Sequence, residues 1–247
     1  MNIRNFAAQW IAEHIDEFQE RKRLHKLRKL KLHDLTSRKN PYLFRVKGME
    51  TGEQIIRSFL DAALSSSEET TFGDWMEQLA IAVAMQAVDG RKSTAKGIDL
   101  EIEKEGCRFL IAIKSGPNWG NSSQISKMMD YFRQAGRILC TSGHREEVRF
   151  INGCIYGKDR NPFKEKGYWK YCGQAFWEFI SGSDTLYQDI IEPLGHEAAE
   201  WNALFEEEYN SKVNTLTREF LNAYCNAEGR VDWHKLLKHV SGSRNPK

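Results

Sequence analysis

Two neighbouring segments of the chain carry the residue types that metal-dependent phosphodiester hydrolysis needs. The first predicted strand places Asp99, Glu101 and Glu103 on one face, because side chains alternate along a strand. After a short turn, the second predicted strand places Ala112 and Lys114 on one face. A carboxylate can bind a hard divalent cation, and a lysine beside it can orient or deprotonate the attacking water. The pattern therefore predicts a hairpin with a metal-binding acid on one strand and a lysine on the other.

Asp99 and Lys114 are the two strongest candidates in this hairpin. Asp99 follows Gly97 and Ile98 in a stretch that is entered through a polar loop. Lys114 ends an apolar strand, where a lysine is costly to bury unless it is paired or used. The separation of the two residues suits a tight hairpin, which would set their side chains next to each other.

The segment from Ser115 to Gln124 is rich in turn formers and amide side chains and leads into a predicted helix. Asn121 or Ser122 is a natural N-cap for that helix. A loop between the end of a strand and the start of a helix is also where phosphates meet backbone amides. Lys127, on the predicted helix, adds a cation nearby.

These residues need a scaffold of strands and helices, and the periodicity of the chain predicts an α/β fold. We expect a central mixed β-sheet flanked by helices, with helical N- and C-terminal segments. The predicted domains are an N-terminal helical arm (1–45), a nuclease-like core (46–180) and a C-terminal helical region (181–247). The predicted elements are a long helix over 2–35, a helix from Thr51 that opens on a capping-box pattern of Thr51 and Gln54, a loop at Ser65–Glu69, a helix over Gly73–Val88, the hairpin, a helix over Asn121–Leu139, strands at Val148–Tyr156 and Tyr168–Cys172, and helices from Gln174 onward.

Composition narrows the function classes. The charged fraction is 28% with a net charge of +2, and the five cysteines form no CxxC pair, so a disulfide framework or a zinc site is not indicated. No phosphate-binding glycine motif and no membrane-spanning apolar run is present, so we expect no nucleotide cofactor, no membrane insertion and a cytoplasmic location. His144 is expected in a loop. A basic run between Arg21 and Lys31 fits either a phosphate-binding surface or a solvated helix face.

The hairpin resembles the catalytic hairpin of the PD-(D/E)XK nucleases, with Asp99 followed by Ile-Ala-Ile-Lys114-Ser-Gly. The wider chain resembles the type II restriction endonucleases of that superfamily, through Asn40-Pro-Tyr-Leu-Phe, the loop after Lys114, and Asp232-Trp-His-Lys-Leu-Leu. The resemblance implies Asp99 as a ligand of Mg²⁺ and Lys114 as the lysine near the attacking water. The residues expected to contact double-stranded DNA are Ser115, Asn118, Trp119, Asn121, Ser122, Ser123, Gln124 and Lys127.

The chain departs from the family pattern at Ala112, where the family usually has Glu or Asp. Some relatives have a small residue there and take the acid from elsewhere, and Glu77 on the preceding helix is then the first candidate and Glu101 the second. Alternatively, the alanine is an inactivating replacement of a glutamate, or the protein is a catalytically dead descendant. These three explanations stay open from the sequence.

The resemblance implies Mg²⁺-dependent, sequence-specific hydrolysis of double-stranded DNA that leaves 5′-phosphates. A palindromic site would be read by a twofold homodimer. Two alternatives belong to other classes: a catalytically inactive DNA-binding protein of the same fold, and a structure-specific repair nuclease.

Overall fold

A computed structural model describes residues 2–37, 39–141, 146–164 and 166–243. His144 lies outside the described residues. The chain packs as two compact units, one formed by Met1–Ile15 and Phe72–Glu197 and the other by Asp16–Thr71 and Ala198–Lys247. These two compact units do not test the three predicted domains, which stay a prediction. No described helix is long and apolar enough to cross a membrane.

The first unit contains a mixed six-stranded sheet in the order β1-β2-β3-β4-β6-β5. Three strand pairs are antiparallel (β1 with β2, β2 with β3, β5 with β6), whereas β3 with β4 and β4 with β6 are parallel. The strands are β1 (Arg91–Lys92), β2 (Leu100–Lys104), β3 (Cys107–Lys114), β4 (Glu147–Cys154), β5 (Phe163–Lys164) and β6 (Tyr168–Cys172).

Helices form most of the rest of the described chain. They are α1 (Ile3–Phe18), α2 (His25–Lys29), α3 (Leu32–Ser37), α4 (Pro41–Val46), α5 (Gly52–Val88), α6 (Ser122–Thr141), α7 (Gln174–Ser181), α8 (Leu186–Asp189), α9 (Ile191–Tyr224) and α10 (Trp233–Ser241), with a π-helical segment, Gln19–Leu24, between α1 and α2. The prediction of a mixed sheet flanked by helices is confirmed.

The predicted hairpin is β2 and β3, joined by a tight turn at Glu105 and Gly106. Both turn residues have positive φ, 55° and 73°, which is the backbone of the two-residue turns that match the twist of antiparallel strands. The register pairs Leu100 with Ile111, and Asp99, one residue before β2, lies next to that pair at the end of the hairpin. The turn and the register together fix which residues meet across the hairpin.

Helices cover both faces of the sheet in the first unit. Leu110 and Ala112 of β3 pack in one apolar cluster with Met128 and Phe132 of α6. On the opposite face the ring of Phe109 meets Phe179 of α7, with ring centroids 5.1 Å apart. This two-sided burial explains why β3 reads as an almost continuous apolar run.

The predicted loop at Ser65–Glu69 is wrong, because α5 is one helix of 37 residues. The polar stretch is the exposed side of that helix and forms helical contacts of its own. The hydroxyls of Thr70 and Thr71 donate to the carbonyls of Ser66 and Ser67, each one turn earlier. A run of polar residues on a helix therefore has the composition of a loop, and composition alone predicts a loop there.

The predicted cap is correct, since Thr51 Oγ1 accepts from Gln54 N at 3.4 Å and Gln54 Oε1 accepts from Thr51 N at 3.4 Å.

The single long N-terminal helix is also wrong in its last part. The helical backbone, including its π-helical segment, ends at Leu30, which is extended (ψ 132°), and α3 begins two residues later. Leu27, Leu30 and Leu35, on both sides of this break, all lie in the apolar core of the second unit.

The basic run lies in the second unit, where part of its charge is already paired. Arg23 binds Glu68 at 2.7 Å and stacks over the ring of Phe205 at 3.7 Å. Arg28 binds Glu208, one of three consecutive glutamates in the later part of the chain, at 2.5 Å. Both arginines are paired within the second unit, and only the remaining members of the run are candidates for a phosphate-binding surface.

Candidate active site

Asp99 is held in one orientation by the backbone of the hairpin. Its N–H donates at 2.9 Å to the carbonyl of Ile111, the residue that Leu100 faces in the β2–β3 ladder. Its Oδ2 accepts the N–H of Ile113 at 2.7 Å. One carboxylate oxygen is thus fixed by a main-chain donor, and the second oxygen has no hydrogen-bond partner among the described residues.

Lys114 lies at the end of β3 with its ammonium close to Asp99. Nζ is 3.6 Å from Asp99 Oδ2 and donates to the carbonyl of Ile113 at 2.5 Å. Both side chains are partly exposed, 30% for Lys114 and 20% for Asp99, so a ligand from solvent can reach them. The predicted pairing of the acid and the lysine across the hairpin is present in the structure.

Glu77 of α5 belongs to the same site. Gly73 lies one helical turn before it, and a side chain at Gly73 would overlap the Oγ of Ser115, the residue after Lys114. The helix face that carries Gly73 and Glu77 is therefore the face turned toward the end of β3. Burial and the nearby carboxylate of Asp99 raise the pKa of Glu77 to about 7, against the opposing effect of the Lys114 ammonium.

Glu101, the other predicted metal ligand, is engaged elsewhere. One of its oxygens accepts the hydroxyl of Ser93 at 2.7 Å and the other the guanidinium of Arg91 at 2.9 Å. Burial alone would raise the pKa of Glu101, but the hydrogen bonds from Ser93 and Arg91 outweigh it and keep the pKa below its ordinary value. The structure brings Asp99, Lys114 and Glu77 together and ties Glu101 to the β1 side of the sheet.

The donor set at the site fits Mg²⁺. Among the described residues no group of three or more His, Cys, Asp or Glu side chains is arranged to hold a metal ion. Mg²⁺ does not need one, because it keeps several waters and is usually bound through one or two carboxylates. Asp99 and Glu77 supply two, and burial together with the neighbouring Asp99 carboxylate raises the pKa of Glu77.

Ala112 lies at the position of the absent carboxylate and is closed to solvent. Its exposed fraction is 0%, and it packs among Leu110, Met128 and Phe132. A glutamate at this position would place a charge in an apolar cluster. The closed packing favours alanine as the residue for which this core is built.

We expect Ala112→Glu to lower the free energy of unfolding by about 2–3 kcal/mol or more and to give no gain in DNA cleavage. Ala112→Gln is the matched control, because it adds the same volume without the charge. Chemical denaturation at pH 8 measures the first effect and plasmid cleavage the second. A stable Ala112→Glu protein that cuts at least tenfold faster would instead identify the alanine as a replaced acid.

Three of the residues predicted to contact DNA cap helix α6. The side-chain oxygen of Asn121 accepts the backbone N–H of Gln124 at 3.1 Å, and the side-chain oxygen of Gln124 accepts the backbone N–H of Asn121 at 2.9 Å. The hydroxyl of Ser123 donates to Asn121 at 2.8 Å. Much of the polarity of this segment therefore serves the start of the helix.

The other predicted contacts are distributed around the site. Ser115, Asn118 and Ser122 are exposed. Lys127 is exposed on α6 and lies over the ring of Tyr131 at 5.9 Å. These four positions are open to a ligand, and their contact with DNA stays a prediction.

Trp119 is half-buried, and its indole N–H is already used. It donates to Oδ1 of Asn152 on β4 at 3.0 Å. Asn152 is 1% exposed and was not among the predicted site residues. The available signal was a polar residue in the second half of β4, between Ile151 and Gly153, where a buried amide must find hydrogen-bond partners.

Comparison with known families gives a match that covers most of the chain. The family model described as "Type II restriction endonuclease EcoO109I" matches residues 6–202, which include all of the sheet, Glu77, Asp99 and Lys114. No curated protein matches the chain.

Proposed function

Because the chain belongs to the type II restriction endonuclease EcoO109I family, we propose that it hydrolyses double-stranded DNA at a specific sequence, with Mg²⁺ as cofactor. The family implies a nuclease that binds DNA. The products proposed are ends with a 5′-phosphate. The observation that carries the proposal is the ion pair of Asp99 and Lys114, 3.6 Å apart at the end of β3, with Glu77 beside it.

Asp99 and Glu77 would hold the cation, and when bound it would supply Lewis-acid stabilisation of the charge that develops on the phosphate. The Ile113 N–H keeps one oxygen of Asp99 fixed, so the other can turn to a ligand without reorganising the strand. Lys114 presents an ammonium donor 3.6 Å from the fixed oxygen of the same carboxylate, where it can hold and orient the attacking water. These roles need only positioning and charge, which suits phosphodiester hydrolysis.

A twofold homodimer and a cytoplasmic location are part of the proposal. A symmetric DNA site is read by two copies of one surface, so each protomer would contribute one Asp99–Lys114 pair and cut one strand. Sedimentation of the protein with a DNA duplex that contains one site would report two protomers per duplex.

Digestion of a long DNA of known sequence with Mg²⁺ tests the proposed activity. A site-specific enzyme gives a fixed set of discrete fragments, and the fragments ligate without added kinase if they carry 5′-phosphates. Omission of Mg²⁺ or addition of EDTA should stop the reaction, because the carboxylates alone cannot stabilise the charge on the phosphate.

The other outcomes identify the alternatives. Cleavage without discrete fragments, enhanced on branched or damaged DNA, would indicate a structure-specific nuclease. Tight DNA binding without cleavage under any divalent cation would indicate an inactive DNA-binding protein of this fold.

A further inference from the structure

The loop after Lys114 is held to the sheet by two side chains from the same row of residues. The strand register places Ala112 beside Asn152, and Asn152 beside Lys170. Asn152 reaches the loop at Trp119, and Lys170 Nζ donates to the carbonyl of Pro117 at 2.7 Å. The loop is therefore fixed at two points from β4 and β6, directly next to the proposed site.

The side-chain amide of Asn152 is fixed in one orientation by a hydrogen bond at each end. Nδ2 donates to the carbonyl of Ala112 on β3 at 3.2 Å, and Oδ1 accepts the indole N–H of Trp119 at 3.0 Å. At 1% exposure there is no solvent to replace either bond. The amide thus connects the backbone of the catalytic strand with the indole ring.

The indole ring in turn meets the lysine. Lys114 Nζ lies 5.6 Å from the centre of the Trp119 ring, within the range in which an aromatic face attracts a cation. The same ammonium is 3.6 Å from Asp99 Oδ2. A long lysine side chain has many rotamers, and a ring that cannot rotate away excludes those that point away from Asp99.

We propose that Asn152 and Trp119 are positioning residues for Lys114: the amide fixes the ring, and the ring holds the ammonium toward Asp99. This inference rests on the proposed function, since it gives Lys114 a role in cleavage. It assigns Trp119 a role inside the site, in place of a contact with DNA.

Two substitutions separate these roles. Trp119→Phe keeps an aromatic ring and removes the N–H, whereas Asn152→Ala keeps the indole and removes its acceptor. We expect each to lower kcat about tenfold, because the net value of one buried hydrogen bond corresponds to about that factor. DNA affinity, measured with Ca²⁺ in place of Mg²⁺, should stay within twofold of wild type.

The double variant supplies the sharpest result. If both residues act through one hydrogen bond, the kcat of Trp119→Phe/Asn152→Ala should be no more than about twofold below the kcat of the slower single variant. Independent effects would multiply to about a hundredfold. Trp201→Phe is the matched control, because Trp201 is also half-buried and donates to a side-chain oxygen, that of Asp16, at 2.8 Å in the other unit. It should lose stability without a change in kcat.

The outcomes distinguish the inference from the proposed function. Wild-type protein that does not cut DNA would overturn both. Cleavage by wild type with kcat unchanged in Trp119→Phe would overturn the inference alone, and so would a loss confined to DNA affinity, which would return Trp119 to the DNA interface. Trp119→Phe decides the matter by itself if Asn152→Ala does not fold.

Discussion

We expect the Asp99→Asn variant to cut DNA at least about 10³-fold more slowly than wild type, since a lost charge at the metal corresponds to several kcal/mol of transition-state stabilisation. Asparagine is chosen because its side-chain oxygen can still accept the N–H of Ile113, the 2.7 Å bond that anchors the residue. The fold should therefore survive. Cleavage rates of a plasmid with Mg²⁺ measure the effect, with thermal unfolding as the test of folding.

Asp130→Asn is the matched control for that variant. Asp130 is an exposed aspartate on α6, paired with Arg133 and not with the hairpin. Its removal should leave cleavage unchanged, because an exposed pair contributes little. If Asp99→Asn retained more than a tenth of wild-type activity, the proposed site would be wrong. If Asp99→Asn lost both its fold and its binding of DNA with Ca²⁺, slow cleavage could come from either the lost charge or the lost fold. Asp99→Glu, which keeps the charge, would then be measured beside Asp130→Asn.

The hairpin could be predicted from the sequence because it is local. Alternation defines the strand faces, a tight turn fixes the register, and Lys114 is conspicuous as a charge at the end of an apolar strand. Nothing distant is needed to bring Asp99 beside the end of β3. The same local logic found the cap at Thr51 and the capping residue before α6, Asn121.

Polar segments were harder to interpret, because polarity has several structural causes. Ser65–Glu69 is the exposed side of α5, and Gln124 completes a helix cap, yet both are polar for the reasons that make a loop or a DNA contact polar. Asn152 shows the opposite case. Its role depends on partners 33 and 40 positions away, Trp119 and Ala112, which only the assembled sheet brings within hydrogen-bond distance.

The sequence indicated Glu77 only through the resemblance, because a single glutamate on a helix forms no recognisable motif. The structure supplies the physical argument in the packing of Gly73 against Ser115. That close contact turns one face of α5 to the end of β3. It also makes Glu77 a partly buried acid in a cluster with another acid, which has a measurable consequence for stability.

We expect Glu77→Gln to stabilise the metal-free protein while it removes cleavage. The pKa of Glu77 is raised from 4.5 to about 7, first by burial and then by Asp99 and Asp74, against the opposing effects of Lys114 and Lys92. Between these two pH values the folded protein retains a proton that the unfolded chain has released, so stability from this group falls as pH rises through that window. Above pH 7 the charged form costs an upper bound of about 3 kcal/mol.

Glutamine removes that cost and leaves the packing almost unchanged. In EDTA, the gain in the free energy of unfolding of Glu77→Gln should be near zero at about pH 4.5 and approach about 3 kcal/mol at pH 8. The control is Glu69→Gln, at an exposed glutamate on the same helix, and it should show no such pH-dependent gain.

Added Mg²⁺ should stabilise wild type more than the Glu77→Gln variant, because a ligand stabilises the state that binds it. Glu77→Gln would then gain stability and lose function, as expected when two acids lie close together because the activity requires both. A Glu77→Gln protein that cuts DNA at the wild-type rate would exclude Glu77 as the acid that replaces the one absent at Ala112.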